Sequence, residues 1–251
     1  MNGTLYLVPN ALDFGTASHG DLQDVLPLGA IRVAARLTHW VAENAKTTRA
    51  FLKRVDAVAP LAQPLQSLSI VELPRPPKGA RHAPAADLKP LLQPLLQGLD
   101  VGLISEAGLP AVADPGAALV QAAHGLQVPV RPLSGPSSLL LALAASGLNG
   151  QSFAFVGYLP VDAAERAQRI RELESQSKRA QQTQLMIETP YRNEALLSAL
   201  LGTLKGSSWL SVSCGLTLDS AWTRTDRVAA WKAQPRHLPN DVPAVFSLIG
   251  D

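Results

Sequence analysis

Apolar and polar positions along this 251-residue chain alternate between two rhythms. Short apolar runs, suited to buried strands, fall at Thr4–Val8, Thr38–Ala42, Ser69–Leu73, Val101–Ile104 and Val128–Leu133. Between them, helix-period segments run over Asp21–Leu26, Thr47–Val55, Asp87–Gln97 and Ala117–His124. Strands alternating with helices predict a mostly parallel sheet with crossover helices. The turn residues Leu133-Ser134-Gly135-Pro136-Ser137-Ser138 then punctuate the chain, and Leu139–Ala145 reads as a buried helix. A second alternation follows, with strands at Ser152–Val156, Gln184–Glu188, Trp209–Ser213, Ser220–Thr225 and Ala244–Ile249. Its helices are Ala163–Glu174, Asn193–Leu201 and Val228–Lys232. The pattern therefore predicts two α/β domains, 1–133 and 134–251, with a cleft between them.

One connector stands out. Val101–Ile104 opens into Ser105-Glu106-Ala107-Gly108-Leu109-Pro110, and Asp114-Pro115-Gly116 lead into the next helix. Connectors of this kind usually take two to six residues. A long loop of small residues at a strand's carboxyl end lets a ligand reach backbone groups. A ligand loop is the favoured reading over a simple strand-to-helix connection in which Pro115 pre-sets the first turn.

Composition narrows the classes. Charged residues are 17% and apolar ones 47%, which suits a large buried core rather than disorder. A net charge of +2 does not announce a nucleic-acid binder, although local basic patches are compatible with it. A single cysteine, Cys214, excludes an intramolecular disulfide and a thiolate metal cluster. Five scattered histidines show no metal-ligand spacing, so no metal is expected. The start MNGTLYLVPN lacks a basic segment before its apolar run, and no run reaches the ~20 residues of a membrane span. The expectation is a cytoplasmic protein that does not engage a membrane. Dinucleotide G-x-G-x-x-G, phosphate-loop and G-x-S-x-G patterns are all missing. The segment at 74–84, PRPPKGARHAP, reads first as a solvated linker. The sharper alternative is a lid carrying Arg75, Lys78 and Arg81.

Four small-residue loops fall at predicted strand ends: Val8-Pro9-Asn10-Ala11, Glu43–Arg49, Ser105–Gly116 and Ser134–Ser138. With Gly3–Val8, Ala145-Ser146-Gly147-Leu148, Phe153–Pro160 and Glu188-Thr189-Pro190-Tyr191-Arg192, they resemble the tetrapyrrole methylase superfamily. Within it, the chain is most similar to the ribosomal RNA small-subunit methyltransferase I branch. The resemblance spans nearly the whole chain. It implies a two-domain α/β fold of the tetrapyrrole methylase type, a homodimer, and S-adenosylmethionine as cofactor in an interdomain cleft. It also implies cofactor contacts at Pro9, Ser105, Glu106, Ala107, Gly108, Pro110 and Asp114, and at Ser134, Gly135, Ser137 and Ser138. Pro190 and Tyr191 would face the adenine, with ordinary packing the alternative for Tyr191. Helix capping is the plainer role for Ser137, Ser138 and Asp114, and is compatible with cofactor contact.

Departures from the branch concern the acceptor. Where the branch carries Glu-Asp-Thr-Arg, this chain has Glu43-Asn44-Ala45-Lys46. Where it carries Arg-Glu-Leu-Thr-Lys, this chain has Cys214-Gly215-Leu216-Thr217-Leu218. The first loop, Pro9–Gly20, is longer and lacks the branch's glycine. The expected activity is methyl transfer to an unassigned acceptor, with an RNA ribose among the candidates. The alternatives are a small-molecule, tetrapyrrole-like methylase or a non-catalytic cofactor-binding module. A ribose hydroxyl needs a general base, for which Glu43, Asp114 and Glu188 are the candidates by position, each with an ordinary ion pair as its plainer role. Arg49 or Arg192 would orient an acidic acceptor.

Overall fold

The computed structural model describes residues 2–13, 20–74, 87–114 and 116–251. The segment expected as a linker or lid, with Arg75, Lys78 and Arg81, lies outside the described residues, as do Pro115 and part of the first loop. Two compact units divide the chain, residues 2–136 and residues 137–251.

The first unit contains β1 (Leu5–Leu7), β2 (His39–Ala42), β3 (Ser69–Glu72), β4 (Val101–Ile104) and β5 (Val130–Pro132). They form one sheet in the order β3-β2-β4-β1-β5, parallel at every pairing. Alternate residues of each strand feed opposite faces, which is why the runs carry few polar positions. Tyr6, Trp40 and Ile104 pack against α1 (Leu22–Val25), α2 (Leu28–Arg36) and α3 (Ala45–Val58). Leu5, Val41 and Leu103 pack against α4 (Lys89–Leu96) and α5 (Gly116–Gly125) on the other face.

Helix α2 is absent from the expected elements. Pro27 before it resembles a terminator but serves as its N-cap, and its buried stripe is Ala30, Ile31, Ala34 and Ala35. Three alanines in four positions make a weak apolar signal, though alanine is the best helix former. The other expected boundaries agree to within three residues, except that the helix expected at Ala163–Glu174 runs six residues further, to Ala180.

The strand order explains where a ligand would settle. From β1 to β3 the chain advances toward one edge, and from β3 to β5 it returns toward the other. Helices therefore leave β4 and its neighbours toward opposite faces. The loop after β4 sits at that reversal, the position at which open parallel sheets bind ligands.

The second unit holds α6 (Ser138–Ser146), β6 (Phe153–Phe155), α7 (Ala163–Ala180), β7 (Thr183–Ile187), α8 (Asn193–Thr203), β8 (Trp209–Cys214), β9 (Trp222–Arg227), α9 (Val228–Ala233) and β10 (Ala244–Ile249). Its order is β6-β7-β10-β8-β9. Only β6 and β7 are parallel; β7–β10, β10–β8 and β8–β9 are antiparallel. One face, with Met186, Leu210, Val212 and Phe246, is closed by α7, α8 and Trp231 of α9. On the other face Leu185 and Val245 meet Ala142 and Leu143 of α6. No helix among the described residues is long and apolar enough to cross a membrane.

Candidate functional site

Three loops at the carboxyl edge of the first sheet gather around the one after β4. From the β1 side, Asn10 and Gly108 exchange both backbone hydrogen bonds, at 2.9 and 3.1 Å. The Asn10 side chain donates from Nδ2 to the carbonyls of Ser105 (3.2 Å) and Glu106 (3.0 Å). Its Oδ1 accepts from the Ala11 N–H. From the β2 side, Glu43 Oε2 accepts the Glu106 N–H at 3.0 Å. The peptide units around Glu106 are thus gripped from both neighbouring strands. From β5, the turn at Ser134–Pro136 seats Gly135 against Pro9 so tightly that a Cβ there would lie 2.2 Å from the Pro9 Cβ.

The loop closes on itself through Asp114. That carboxylate accepts the Ala111 N–H at 2.8 and 2.9 Å and the Gly116 N–H, the first of α5, at 2.7 Å. Burial pushes the Asp114 pKa up, the two N–H groups oppose it, and the nearby Glu43 charge adds to the rise. Ala111, Ala113 and Gly108 all adopt left-handed backbone, at φ 66°, 63° and 69°. Two non-glycine residues in that region within three positions is strain of the kind found at ligand clamps. Ser105 is buried with its hydroxyl donating to the Ala107 carbonyl, while Ala107 itself is exposed and Pro110 buried. The product is a backbone cradle braced from both neighbouring strands, with Val112 its exposed large apolar side chain.

The structure thus brings Pro9, Glu43, Ser105, Glu106, Ala107, Gly108, Pro110, Asp114, Ser134 and Gly135 to one edge of the first unit. Asn10 is not among the expected site residues, although it supplies more hydrogen bonds to the loop than any of them. Its signal is modest: an amide side chain directly after a strand and a proline.

The remaining candidates belong to the second unit. Ser137 is the N-cap of α6, without a side-chain capping bond, and Ser138 opens that helix. Glu188, just past β7, is buried; Oε1 accepts from the Thr189 N–H (2.8 Å) and hydroxyl (3.3 Å). Its Oε2 pairs with Arg192 Nη2 at 2.8 Å. Pro190 and Tyr191 form a 3₁₀ turn ahead of α8, and Tyr191 is 71% exposed, so it does no packing within the core. Arg49 donates to the Ala45 carbonyl within α3. Each of the three carboxylates considered as a general base therefore has partners of its own. Among the described residues no group of three metal-ligating side chains occurs.

No protein-family model matches the chain. Curated relatives do, and several carry the name ribosomal RNA small subunit methyltransferase I. The protein of that name from Halalkalibacterium halodurans is 32% identical over 215 residues, covering 86% of this chain and 65% of the relative. That of Micromonospora olivasterospora is 32% identical over 218 residues, covering 87% and 61%. That of Xylella fastidiosa is 30% identical over 212 residues, covering 84% and 67%. The chain thus spans a little under two thirds of the length of the first two relatives. Among solved structures, uroporphyrin-III-C-methyltransferase of Thermus thermophilus superposes with a TM-score of 0.53 at 20% identity, covering 100% of this chain and 93% of its own. The methyltransferase CobJ superposes at 0.55 and 16% identity, covering 100% and 95%. These two likenesses establish the fold. Sequence relatives across more than four fifths of its length complete the assignment: with the fold of these methyltransferases, the chain belongs to the ribosomal RNA small subunit methyltransferase I family.

Proposed function

We propose that this protein is an S-adenosylmethionine-dependent methyltransferase whose acceptor is small-subunit ribosomal RNA. The observation that carries the reading is the cradle after β4, gripped by Asn10 and Glu43 and closed by Asp114. Its small residues and fixed peptide groups fit the polar amino-acid end of that cofactor, which would be held by Ser105–Gly108 with the Pro9 and Gly135 loops beside it. When bound, the cofactor supplies a methyl already activated on a sulfonium. What remains for the protein is to align the acceptor and exclude water, and positioning of that kind contributes about 7–11 kcal/mol. The acceptor is read from the shared name of the relatives. A cytoplasmic homodimer belongs to the same reading, and sedimentation of the purified chain tests the dimer.

In this reading Glu43 and Glu188 are positioning residues. Glu43 accepts a loop N–H, and a glutamine there still offers an oxygen. Glu188 holds Thr189 and Arg192. Glu43→Gln and Glu188→Gln are expected to keep turnover within about threefold, against the roughly 10²–10⁴-fold loss that removal of a general base brings.

Calorimetric titration with S-adenosylmethionine and S-adenosylhomocysteine tests the pocket, and methyl transfer to small ribosomal subunits tests the acceptor. Stoichiometric binding of both ligands supports the reading. No binding of either at millimolar concentration ends it.

A further inference from the structure

Three of the four tryptophans lie in the second unit, and an arginine guanidinium stacks on each. Arg224 lies 4.1 Å from the Trp231 ring centre, Arg227 4.4 Å from Trp209, and Arg236 3.8 Å from Trp222. Two of these cations are spent. Arg224 donates to the carbonyls of Gln234 and Ala230 and reaches Asp226. Arg227 bonds the Ser207 carbonyl and pairs with Asp251. Arg236 differs: among the described residues its guanidinium has a ring beneath it but no hydrogen bond or ion pair, and the residue is exposed.

Its place in the fold is specific. Trp222 begins β9 and pairs with Cys214, the last residue of β8, so it forms the base of the connection at 215–221. That connection carries left-handed backbone at Gly215 (φ 66°) and at Thr217 (φ 73°), a β-branched residue for which such a φ is an outlier. Arg236 is close enough to Cys214 to oppose the upward push that burial gives its thiol, with Asp241 acting the other way. Residues 205–237 hold five lysines and arginines against two aspartates, a local +3 in a chain of net +2. The exposed Lys232 belongs to the same segment.

We infer that Arg236, seated over the Trp222 ring beside the 215–221 connection, is a contact for the phosphate backbone of the RNA acceptor. The inference rests on the RNA reading above. A guanidinium presents planar, fork-shaped donors suited to phosphate, and an aromatic seat reduces the freedom lost on binding. It also places a cation where the loop itself, Gly215–Leu218, offers none.

Binding of the full chain to purified small ribosomal subunits, measured from about 50 to 300 mM KCl, tests this. Arg236→Ala is expected to weaken binding about tenfold and to lower the salt slope by roughly one unit. Arg236→Lys should keep the slope while losing about threefold in affinity, since charge survives and the guanidinium's seat over the ring does not. Trp222→Leu should reproduce part of the alanine effect with Arg236 intact. Calorimetric binding of S-adenosylmethionine should be unchanged in all three, which shows that the variants fold. Wild-type affinity and slope in Arg236→Ala overturn the inference while leaving the RNA reading in place. Weakened binding with an unchanged slope overturns it too, because the lost contact is then not to phosphate. A wild-type chain that binds the cofactor but not the subunits removes the RNA reading, and this inference with it.

Discussion

The carboxyl edges of the two sheets spend their polar side chains in opposite ways. In the first unit Asn10, Glu43 and Asp114 direct their bonds at the backbone of one loop. In the second, Glu188 holds Arg192, and Arg236 lies over the Trp222 ring with its donors unspent. Side chains that bond backbone remove freedom from the loop and leave its peptide groups fixed in place. A charged side chain that bonds nothing leaves its charge available at the surface. The first arrangement suits an invariable small ligand met by peptide groups; the second suits a charged partner met by side chains. A parallel sheet favours the first, because every strand ends in a loop at the same edge as its neighbours. In the mainly antiparallel second sheet only some strands end there, so fewer loops are available to brace one another.

The most severe way to break this contrast is at Gly135. A Cβ there would stand 2.2 Å from Pro9 Cβ and 2.4 Å from its Cγ, so the two loops must part. Gly135→Ala is expected to cost about 1–3 kcal/mol in urea unfolding, the usual range for an overpacked contact. S-adenosylmethionine affinity should fall by more than about tenfold. In the second unit Gly150 has nothing within 4 Å of an added Cβ. Gly150→Ala should stay within roughly 0.5 kcal/mol of the parent and bind cofactor normally. Equal effects at both glycines would dissolve the distinction between a braced and an open edge.

Asn10→Ala removes the donors to two loop carbonyls. Leaving such buried acceptors unsatisfied costs about 1–3 kcal/mol, and cofactor affinity should drop roughly tenfold as the loop loosens. Asn10→Asp retains the acceptor for Ala11 but cannot donate, so it should resemble alanine rather than the parent. A loss of stability with undiminished cofactor affinity would show that the brace serves the fold alone.

Much of the first edge is legible in the amino-acid sequence. The apolar runs place all five parallel strands, and the length and composition of the 105–116 loop mark it as the unusual connector. What pattern does not carry is the identity of the brace. A single asparagine after a strand reads as turn chemistry, and only the adjacency of β1 and β4, far apart along the chain, turns it into a clamp. The second sheet is legible as elements but not as pairing. A signal for the pairing exists: β8 alternates Leu210, Val212 and Cys214 with Ser211 and Ser213, the alternation of antiparallel strands, and a seven-residue connection leads to β9. Arg236 on Trp222 is fourteen residues of separation closed by folding, beyond the reach of local pattern.

Acidification probes the loop's own lock. Burial, set against two backbone N–H groups, raises the Asp114 pKa in the folded protein above its ordinary value of 3.8. The folded state therefore binds this proton at a pH where the unfolded chain does not. Through that window, stability from this group falls as pH rises and recovers as pH falls. Asp114→Asn lacks the titration. The melting temperature of the parent relative to Asp114→Asn should rise on acidification from about pH 7 toward pH 4. A parent-minus-variant difference that falls on acidification would reverse the assigned sign.

The smallest effect separates strain from bonding within the cradle. Ala111 and Ala113 both sit in left-handed backbone, but only Ala111 has its N–H on the Asp114 carboxylate. Ala113→Gly relieves a steric cost of about 1–2 kcal/mol for a side chain in that region. It also gives the unfolded chain more freedom, at about 0.4–1 kcal/mol. The balance is a gain on the order of 0.5 kcal/mol, or about 1–2 °C in melting temperature for a chain of this size. If the loop is held by Asn10, Glu43 and Asp114, removing that strain leaves cofactor affinity within about twofold, because the braces and not the alanine set its shape. A stabilised variant with clearly weaker binding would mean that the strained alanine itself keeps the cradle open, and the brace would then be only half of the device.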